Sequence, residues 1–207
     1  LNAGRTCLTE TAARAEGCDV ETVTIVADDK AHYYPGAGVF IIKLTADRAT
    51  RKLLGVQALG TGAVDKITDI AVTAISLGAE VDQLAAMDFA YAPPFSTAIH
   101  PFAHGVNVLL NKLDGTLESF TPAEYAAGAA EGYEIVDCAQ APALEGRLFL
   151  NPAAINGPVE GLEKDAKLLL VCTKGRRAYL TQNRLKFYGY SNTRVLEGGT
   201  TLTEFGD

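Results

Sequence analysis

Clustered and alternating apolar positions in the first half of the chain predict an antiparallel sheet. Residues 20–27, 39–45 and 52–59 are rich in Val, Ile, Thr and Leu, and they have the length and composition of β-strands. Residues 47–50, Asp-Arg-Ala-Thr, indicate a hairpin turn between the second segment and the third. We therefore expect these successive strands to pair antiparallel.

Helical spacing follows the strands. Apolar residues recur every three or four positions over 64–77, which predicts an amphipathic helix, and Gly78 is a suitable residue to end it. A shorter helix or turn is expected over 81–87 and a last helix over 101–113. The strands and helices together predict an α+β fold for the first half.

The second half alternates between helices and strands. In chain order the pattern predicts a helix, two strands, a helix and a strand, at residues 122–130, 134–138, 168–171, 179–188 and 193–196. This order is typical of an α/β fold with a parallel sheet. Thr121 and Glu124 have the spacing of a capping box at the start of the first of these helices. The stretch 139–167, rich in Ala, Gly and Pro, contains no clear element.

Length and composition are those of a globular protein with room for two domains. The 207 residues are 48% hydrophobic and 21% charged. We predict domains at 1–115 and 116–207, with residues 1–19 partly linker. The chain starts with Leu1 rather than methionine, and we expect it to be a fragment of a longer protein.

Charge, hydropathy and cysteine usage exclude several kinds of partner. A net charge of -7 argues against binding to nucleic acid, and no apolar run is long enough to span a membrane. The four cysteines show neither a CxxC pair nor the spacing of a zinc site. A reducing, cytoplasmic location is therefore expected.

Cys172 is the strongest candidate for chemistry. It ends the apolar run 168–171 and precedes a predicted helix, and Lys174, Arg176 and Arg177 follow it closely. Helix N-termini and cations stabilise a thiolate, which is the nucleophilic form of cysteine. The alternative is that Cys172 is one more buried, inert cysteine.

The loop after Cys172 resembles the active-site loop of the rhodanese family of sulfurtransferases, in which Cys172, Gly175 and Arg177 match the family pattern. The capped helix at 121–124, the strand ending in Asp137 and the strand before Gly198-Gly199 occur in the same order as in that family, and residues 154–156 resemble its small strand. The resemblance implies that Cys172 carries a persulfide and that Arg177 assists it. It also implies a substrate site; this site comprises Thr173, Lys174, Gly175, Arg176 and Asp137.

The first half resembles another family, the C-terminal dimerisation domain of the flavin-dependent pyridine nucleotide–disulfide oxidoreductases. The segments at 33–37, 52–60, 64–66 and 91–96 carry the resemblance, and the branch is that of CoA-disulfide reductases and NADH oxidases. It implies a homodimer in which this domain completes the partner's active site. Tyr33 or Tyr34 matches one tyrosine near the reactive thiol, and Phe95 stands where a second tyrosine would be. Interface packing is the alternative role for these aromatic residues.

Both resemblances occur in the order of a known fusion, and together they imply a function. We expect the C-terminal part of an oxidoreductase, dependent on FAD and NAD(P)H, that reduces disulfides, persulfides or polysulfides. Its substrates would be small sulfur compounds or CoA-type thiols, and the FAD and NAD(P)H domains would be absent from this chain. The alternative is a catalytically silent rhodanese-like module on a dimerisation scaffold.

Three further features of the sequence can be interpreted. The turn at 60–65 lacks the third glycine of a dinucleotide-binding loop, so a plain glycine turn is expected there. His100 and His104 are expected at the surface or an interface. Cys138 is open to two interpretations, a resolving thiol for Cys172 or a small buried hydrophobic residue.

Overall fold

The computed structural model describes residues 1–205 and shows two compact units. The first spans Leu1–Asp114 and the second begins at Gly115, so the division falls one residue before the predicted boundary. Each unit has its own sheet. Within the described residues, no helix has the length and hydropathy needed to cross a membrane.

The first unit contains the expected antiparallel sheet, with one strand more than the sequence predicts. Its strands are β1 (Asn2–Cys7), β2 (Val20–Asp28), β3 (Val39–Asp47) and β4 (Leu53–Gly60), in the order β1-β4-β3-β2. All neighbours pair antiparallel, and β3 and β4 are joined by the predicted hairpin. Residues 1–19, expected to be partly linker, therefore include an edge strand. Its sequence, Asn-Ala-Gly-Arg-Thr-Cys, has little apolar content because most of its side chains stay exposed.

Two long helices pack on one face of this sheet, where they share a core with Phe40, Ile42 and Leu44 of β3. The helices of this unit are α1 (Glu10–Ala15), α2 (Val64–Ser76), α3 (Val81–Ala85) and α4 (Pro101–Leu113), of which α2 and α4 are the long ones. The helix α2 packs on β1 and β4, whereas α4 packs on β2 and β3. A Cβ on Gly105 of α4 would lie 2.8 Å from Leu44 Cδ1, so glycine permits the close approach of this helix to the sheet.

The second unit contains the expected parallel sheet. Its strands are β5 (Ser119–Phe120), β6 (Glu134–Asp137), β7 (Leu148–Phe149), β8 (Leu168–Val171) and β9 (Thr193–Leu196), in the order β5-β9-β8-β6-β7. Its helices are α5 (Pro122–Ala126), α6 (Arg176–Phe187) and α7 (Gly199–Leu202), with a 3-10 helix at Pro152–Ala154. The central strand β8 is buried along its whole length, as expected for a strand covered on both faces.

Several boundaries in the second unit differ from the predictions. The helix predicted over 122–130 ends at Ala126, shortly before Gly128, which adopts a left-handed conformation. The helix predicted from residue 179 begins at Arg176, directly after left-handed Gly175. The small strand expected at 154–156 is wrong, because Pro152 starts a 3-10 helix there and the edge strand is β7.

His100 is buried, which corrects the prediction of a surface or interface position. The side chain is 4% exposed, and its ring stacks on Phe89 with centroids 4.6 Å apart. Its Nδ1 accepts the backbone N–H of Phe102 at 3.2 Å and so caps the start of α4. Burial lowers the pKa of His100 from 6.5 to about 4, and the nearby charges of Lys66 and His104 add to the effect.

The depressed pKa of His100 predicts an acid sensitivity of the first unit. The unfolded chain binds a proton near pH 6.5 and the folded chain only near pH 4. The stabilisation is therefore complete above pH 6.5, and up to about 3 kcal/mol is lost as the pH falls to 4. Urea unfolding at a series of pH values checks this.

His100→Asn is the matched variant for that test. Asparagine keeps a side-chain oxygen for the Phe102 N–H but does not titrate. Its unfolding free energy should vary less than that of the unmodified chain between about pH 4 and pH 6.5. Identical pH profiles for the two proteins would contradict the assignment.

Candidate active site

Cys172 lies where the central strand of the parallel sheet ends. It follows Val171, the last residue of β8, and is 4% exposed. The neighbouring strand β6 runs parallel to β8 with Asp137 opposite Val171, and the Cys138 N–H donates to the Val171 carbonyl at 2.7 Å. The segments leaving β6 and β8 therefore start side by side at the carboxyl edge, where ligand sites of such sheets form.

The connection from β8 to α6 is short and turns directly into the helix. Gly175 is the N-cap of α6 with φ 91°, and the cap has no side-chain hydrogen bond. The first turn of α6 contains no acidic residue and begins with Arg176 and Arg177. Thr173 and Arg176 are exposed, while Lys174 is half-buried. The partial positive charge of the helix start and these cations favour an anion beside Cys172.

The Gly198-Gly199 turn after β9 supports the backbone of this loop. A Cβ on Gly199 would lie 1.7 Å from the Cys172 carbonyl oxygen, so only glycine fits there. The Thr200 N–H donates to that carbonyl at 3.1 Å, and the Thr201 hydroxyl donates to the Thr173 carbonyl at 2.7 Å. These contacts hold the strand end and the first loop residue in place.

Arg177 is held by two neutral acceptors. Its Nε donates to the Cys138 carbonyl at 3.0 Å, and its Nη2 donates to Asn151 Oδ1 at 3.1 Å. Sequence reasoning missed Asn151, which lies in the stretch 139–167 but outside the small strand expected there at 154–156. Only its tertiary contact with Arg177 identifies it, and no local pattern in the sequence does so.

Asp137 is buried, at 1% exposure, and it organises the loop that follows β6. Its Oδ1 accepts the Ala139 N–H at 2.8 Å, and its Oδ2 accepts the N–H groups of Ala143 and Leu144 at 2.5 and 3.0 Å. Each of these donors belongs to the backbone. The structure thus places Asp137 at the predicted edge and engages its carboxylate with its own chain.

Cys138 is buried completely. Its thiol contacts the Val136 carbonyl at 3.6 Å, and burial raises the pKa of Cys138 to about 12, with the charges of Cys172 and Asp137 acting in the same direction. A thiol with this pKa is protonated at neutral pH and is a poor nucleophile. The structure favours the small buried residue over the resolving thiol.

The predicted aromatic site residues belong to the first unit and are exposed. The exposed fractions are 69% for Tyr33, 36% for Tyr34 and 77% for Phe95. Phe95 also lines a cavity of about 170 Å³ together with buried His100 and the lysines Lys30 and Lys66. Among residues 1–205, no cluster of His, Cys, Asp and Glu could hold a metal ion.

The first unit is similar to a known domain. Residues 1–103 match the family model of the pyridine nucleotide-disulphide oxidoreductase dimerisation domain. The match covers nearly the whole first unit, so this unit resembles the dimerisation domain of these oxidoreductases.

Individual known proteins are similar to part of this chain. The NAD(P)H sulfur oxidoreductase (CoA-dependent) of Pyrococcus furiosus is 43% identical over 101 residues, which are 49% of this chain and 23% of the relative. The coenzyme A disulfide reductase of Staphylococcus aureus is 34% identical over 83 residues, 40% of this chain and 18% of the relative. The matched region is thus less than a quarter of the length of either relative.

Two solved structures resemble nearly the whole chain. The NAD-dependent persulfide reductase from A. fulgidus matches 98% of the chain with a TM-score of 0.87 and 31% identity. The reduced Bacillus anthracis CoADR-RHD matches 97% with a TM-score of 0.86 and 26% identity. In each case this chain covers 37% of the solved chain. The second unit as well as the first therefore has counterparts in these reductases.

The contacts of Asp137 predict a structural effect on substitution. Asp137→Asn replaces one acceptor oxygen with a donor, so the N–H groups of Ala143 and Leu144 lose part of their bonding. We expect about 2 kcal/mol of local destabilisation and faster hydrogen exchange at those amides. Glu134→Gln, at an exposed position of the same strand, removes the same charge and should leave exchange unchanged. Unaltered exchange in Asp137→Asn, with weakened donor binding, would instead assign the carboxylate to the substrate.

Proposed function

We propose that this chain is the C-terminal part of an FAD- and NAD(P)H-dependent reductase of disulfides, persulfides or polysulfides. In this proposal the second unit is rhodanese-like and carries sulfane sulfur on Cys172. The position of Cys172 is the observation that carries the proposal, because it stands between the end of β8 and the uncapped start of α6. The names of the relatives, which include sulfur and persulfide reductases, support the same chemistry.

The first chemical step is a sulfur transfer to Cys172. Its thiolate attacks the outer, sulfane sulfur of an anionic donor such as thiosulfate. A new sulfur–sulfur bond forms, the sulfur–sulfur bond of thiosulfate breaks, and sulfite leaves with the electron pair of that bond. The product is a persulfide anion on Cys172, and the step needs no outside oxidant or reductant.

The residues after Cys172 stabilise the charges of this step. The backbone amides from Thr173 to Arg177 lie at a helix start, where N–H groups bind anions, and they would hold the outer sulfur. Lys174 and Arg177 would bind the anionic donor and the departing sulfite electrostatically. Arg176 is exposed at the loop and attracts anions toward it.

FAD and NAD(P)H belong, in this proposal, to domains of the intact protein that precede this chain. The glycine turn at the start of α2 does not fit their pyrophosphate. A Cβ on Gly60 would lie 2.6 Å from Phe40 Cδ1, and one on Gly62 would lie 2.8 Å from Phe40 Cζ. Phe40 therefore occupies the space that a phosphate would need beside these glycines, and Asp65 replaces the third glycine.

A catalytically silent module is the second candidate. The burial of Cys172 favours it, since only 4% of the residue is exposed. The two bonds that tie Arg177 to Cys138 and Asn151 also suit a purely structural loop. In this case the second unit would recognise a partner without accepting sulfur.

Persulfidation separates the two candidates. Incubation with thiosulfate or polysulfide should add one sulfur atom to the chain, measured by intact mass, and Cys172→Ser should abolish the gain. Cys138→Ser is the matched control, and it should still accept sulfur because that thiol is buried and protonated. The absence of any gain with every donor would support the silent module.

We further propose that the first unit forms a homodimer in the cytoplasm, with Tyr33, Tyr34 and Phe95 at the interface and near the partner's reactive thiol. Their exposure supports this role, because large apolar side chains in solvent are stabilised by burial in an interface.

Dimerisation predicts an effect of charge at Phe95. Phe95→Glu should raise the dimer dissociation constant about tenfold or more, because it buries a carboxylate at the interface. Phe187→Glu, at a position that is 81% exposed in the second unit, is the control and should leave it unchanged. Sedimentation equilibrium measures both. An unmodified chain that is monomeric at micromolar concentration would refute the dimer.

A further inference from the structure

Arg177 is a partly buried cation that bonds to neutral groups in the part of the chain that the structure describes. Both acceptors that hold it, the Cys138 carbonyl and Asn151 Oδ1, are neutral. Within residues 1–205 no acidic side chain forms an ion pair with it. A guanidinium has five N–H donors, and these two bonds use two of them. Charge and donors therefore remain available for an anion.

Asn151 is held beside Arg177 by the edge of the sheet. The strand β7 pairs with β6, and the Leu150 N–H continues this pairing by donating to the Asp137 carbonyl at 2.8 Å. Asn151 follows at once, and its Oδ1 also accepts the Ala153 N–H at 3.1 Å, which caps the 3-10 helix. The strand pairing before Asn151 and the bond from the Ala153 N–H thus fix the side chain that accepts from Arg177.

The other anchor ties Arg177 to the neighbourhood of Cys172. The Cys138 carbonyl follows β6 directly, just as Cys172 follows β8, and these strands are adjacent and parallel. Asp137 and Val171 pair across these strands, and the Cys138 N–H donates to the Val171 carbonyl at 2.7 Å, so Cys138 and Cys172 start side by side. A guanidinium bonded to Cys138 therefore acts on the charge at Cys172 and on an anion bound there.

We propose that Asn151 is a positioning residue that fixes the Arg177 guanidinium without neutralising it, and so makes the Cys172 site selective for anionic reagents. This rests on the proposed sulfur transfer for its biological meaning. An aspartate at the same position would hold Arg177 equally well but would cancel its charge. The neutral amide is the feature that leaves the charge of Arg177 to the donor.

Asn151→Asp tests the proposal because it changes charge with little change in shape. Aspartate keeps an oxygen for Arg177 and for the Ala153 N–H, so the fold is expected to persist. The KM for thiosulfate should rise about tenfold with a smaller change in kcat. Asn183→Asp, at an exposed position of α6, adds the same charge and is the matched control. A merely structural Asn151 would leave KM unchanged in Asn151→Asp.

Alkylation of Cys172 gives a readout that does not depend on sulfur transfer. Iodoacetate is an anion and iodoacetamide is neutral, yet both alkylate the same thiolate. The rate constant for iodoacetate divided by that for iodoacetamide at Cys172, measured by peptide mass spectrometry, therefore reports the electrostatic potential at the site. We expect Asn151→Asp to lower this ratio about fivefold and Asn183→Asp to leave it within about twofold.

The outcomes separate this inference from the proposed function. An unchanged ratio in Asn151→Asp, or an equal fall in Asn183→Asp, overturns the role of Asn151 even if the chain accepts sulfur. A fall confined to Asn151→Asp supports that role even if the unmodified chain accepts no sulfur, in which case only the sulfur transfer fails. Asn151→Ala, which frees the guanidinium, should raise the KM for thiosulfate without adding a negative charge.

Discussion

The parallel pairing of β6, β8 and β9 is the constraint on which the second unit's site depends. Since these strands are adjacent and run in one direction, the segments that follow them leave from the same edge. Asp137 shapes the segment after β6, Cys172 starts the segment after β8, and Gly199 supports it from the segment after β9. None of these residues is close to the others in sequence.

Those elements that rest on local signals were predictable. The bounds of β8 and α4 agree with the sequence pattern, because a run of buried apolar residues and a long amphipathic helix carry strong periodicity. The strands β5 and β7 have two residues each, too few for any period, and they form only because a neighbouring strand offers hydrogen bonds. The edge strand β1 has six residues, but most of its side chains are exposed, so it lacks the apolar alternation that predicts a strand.

The residues of the candidate site also fall into two groups, those that the sequence predicts and those that it does not. Cys172 and Gly175 could be recognised from the sequence, because a cysteine between an apolar run and a helix start is a local pattern. Asn151 could not, since its meaning lies in a bond to a residue 26 positions away. The burial of His100 was not predicted, because its stacking on Phe89 is a tertiary contact that no pattern in the neighbouring sequence indicates.

The edge strand β1 has a consequence for the solubility of shortened forms. It pairs with β4 along its length, from Asn2 opposite Gly60 to Cys7 opposite Gly55. A chain trimmed to begin at Val20 would leave β4 as an open edge of the sheet. The sequence of β4, Leu-Leu-Gly-Val-Gln-Ala-Leu-Gly, has neither charge nor proline to discourage pairing with another molecule. By pairing with β4, the first residues thus prevent that strand from pairing with another molecule and aggregating.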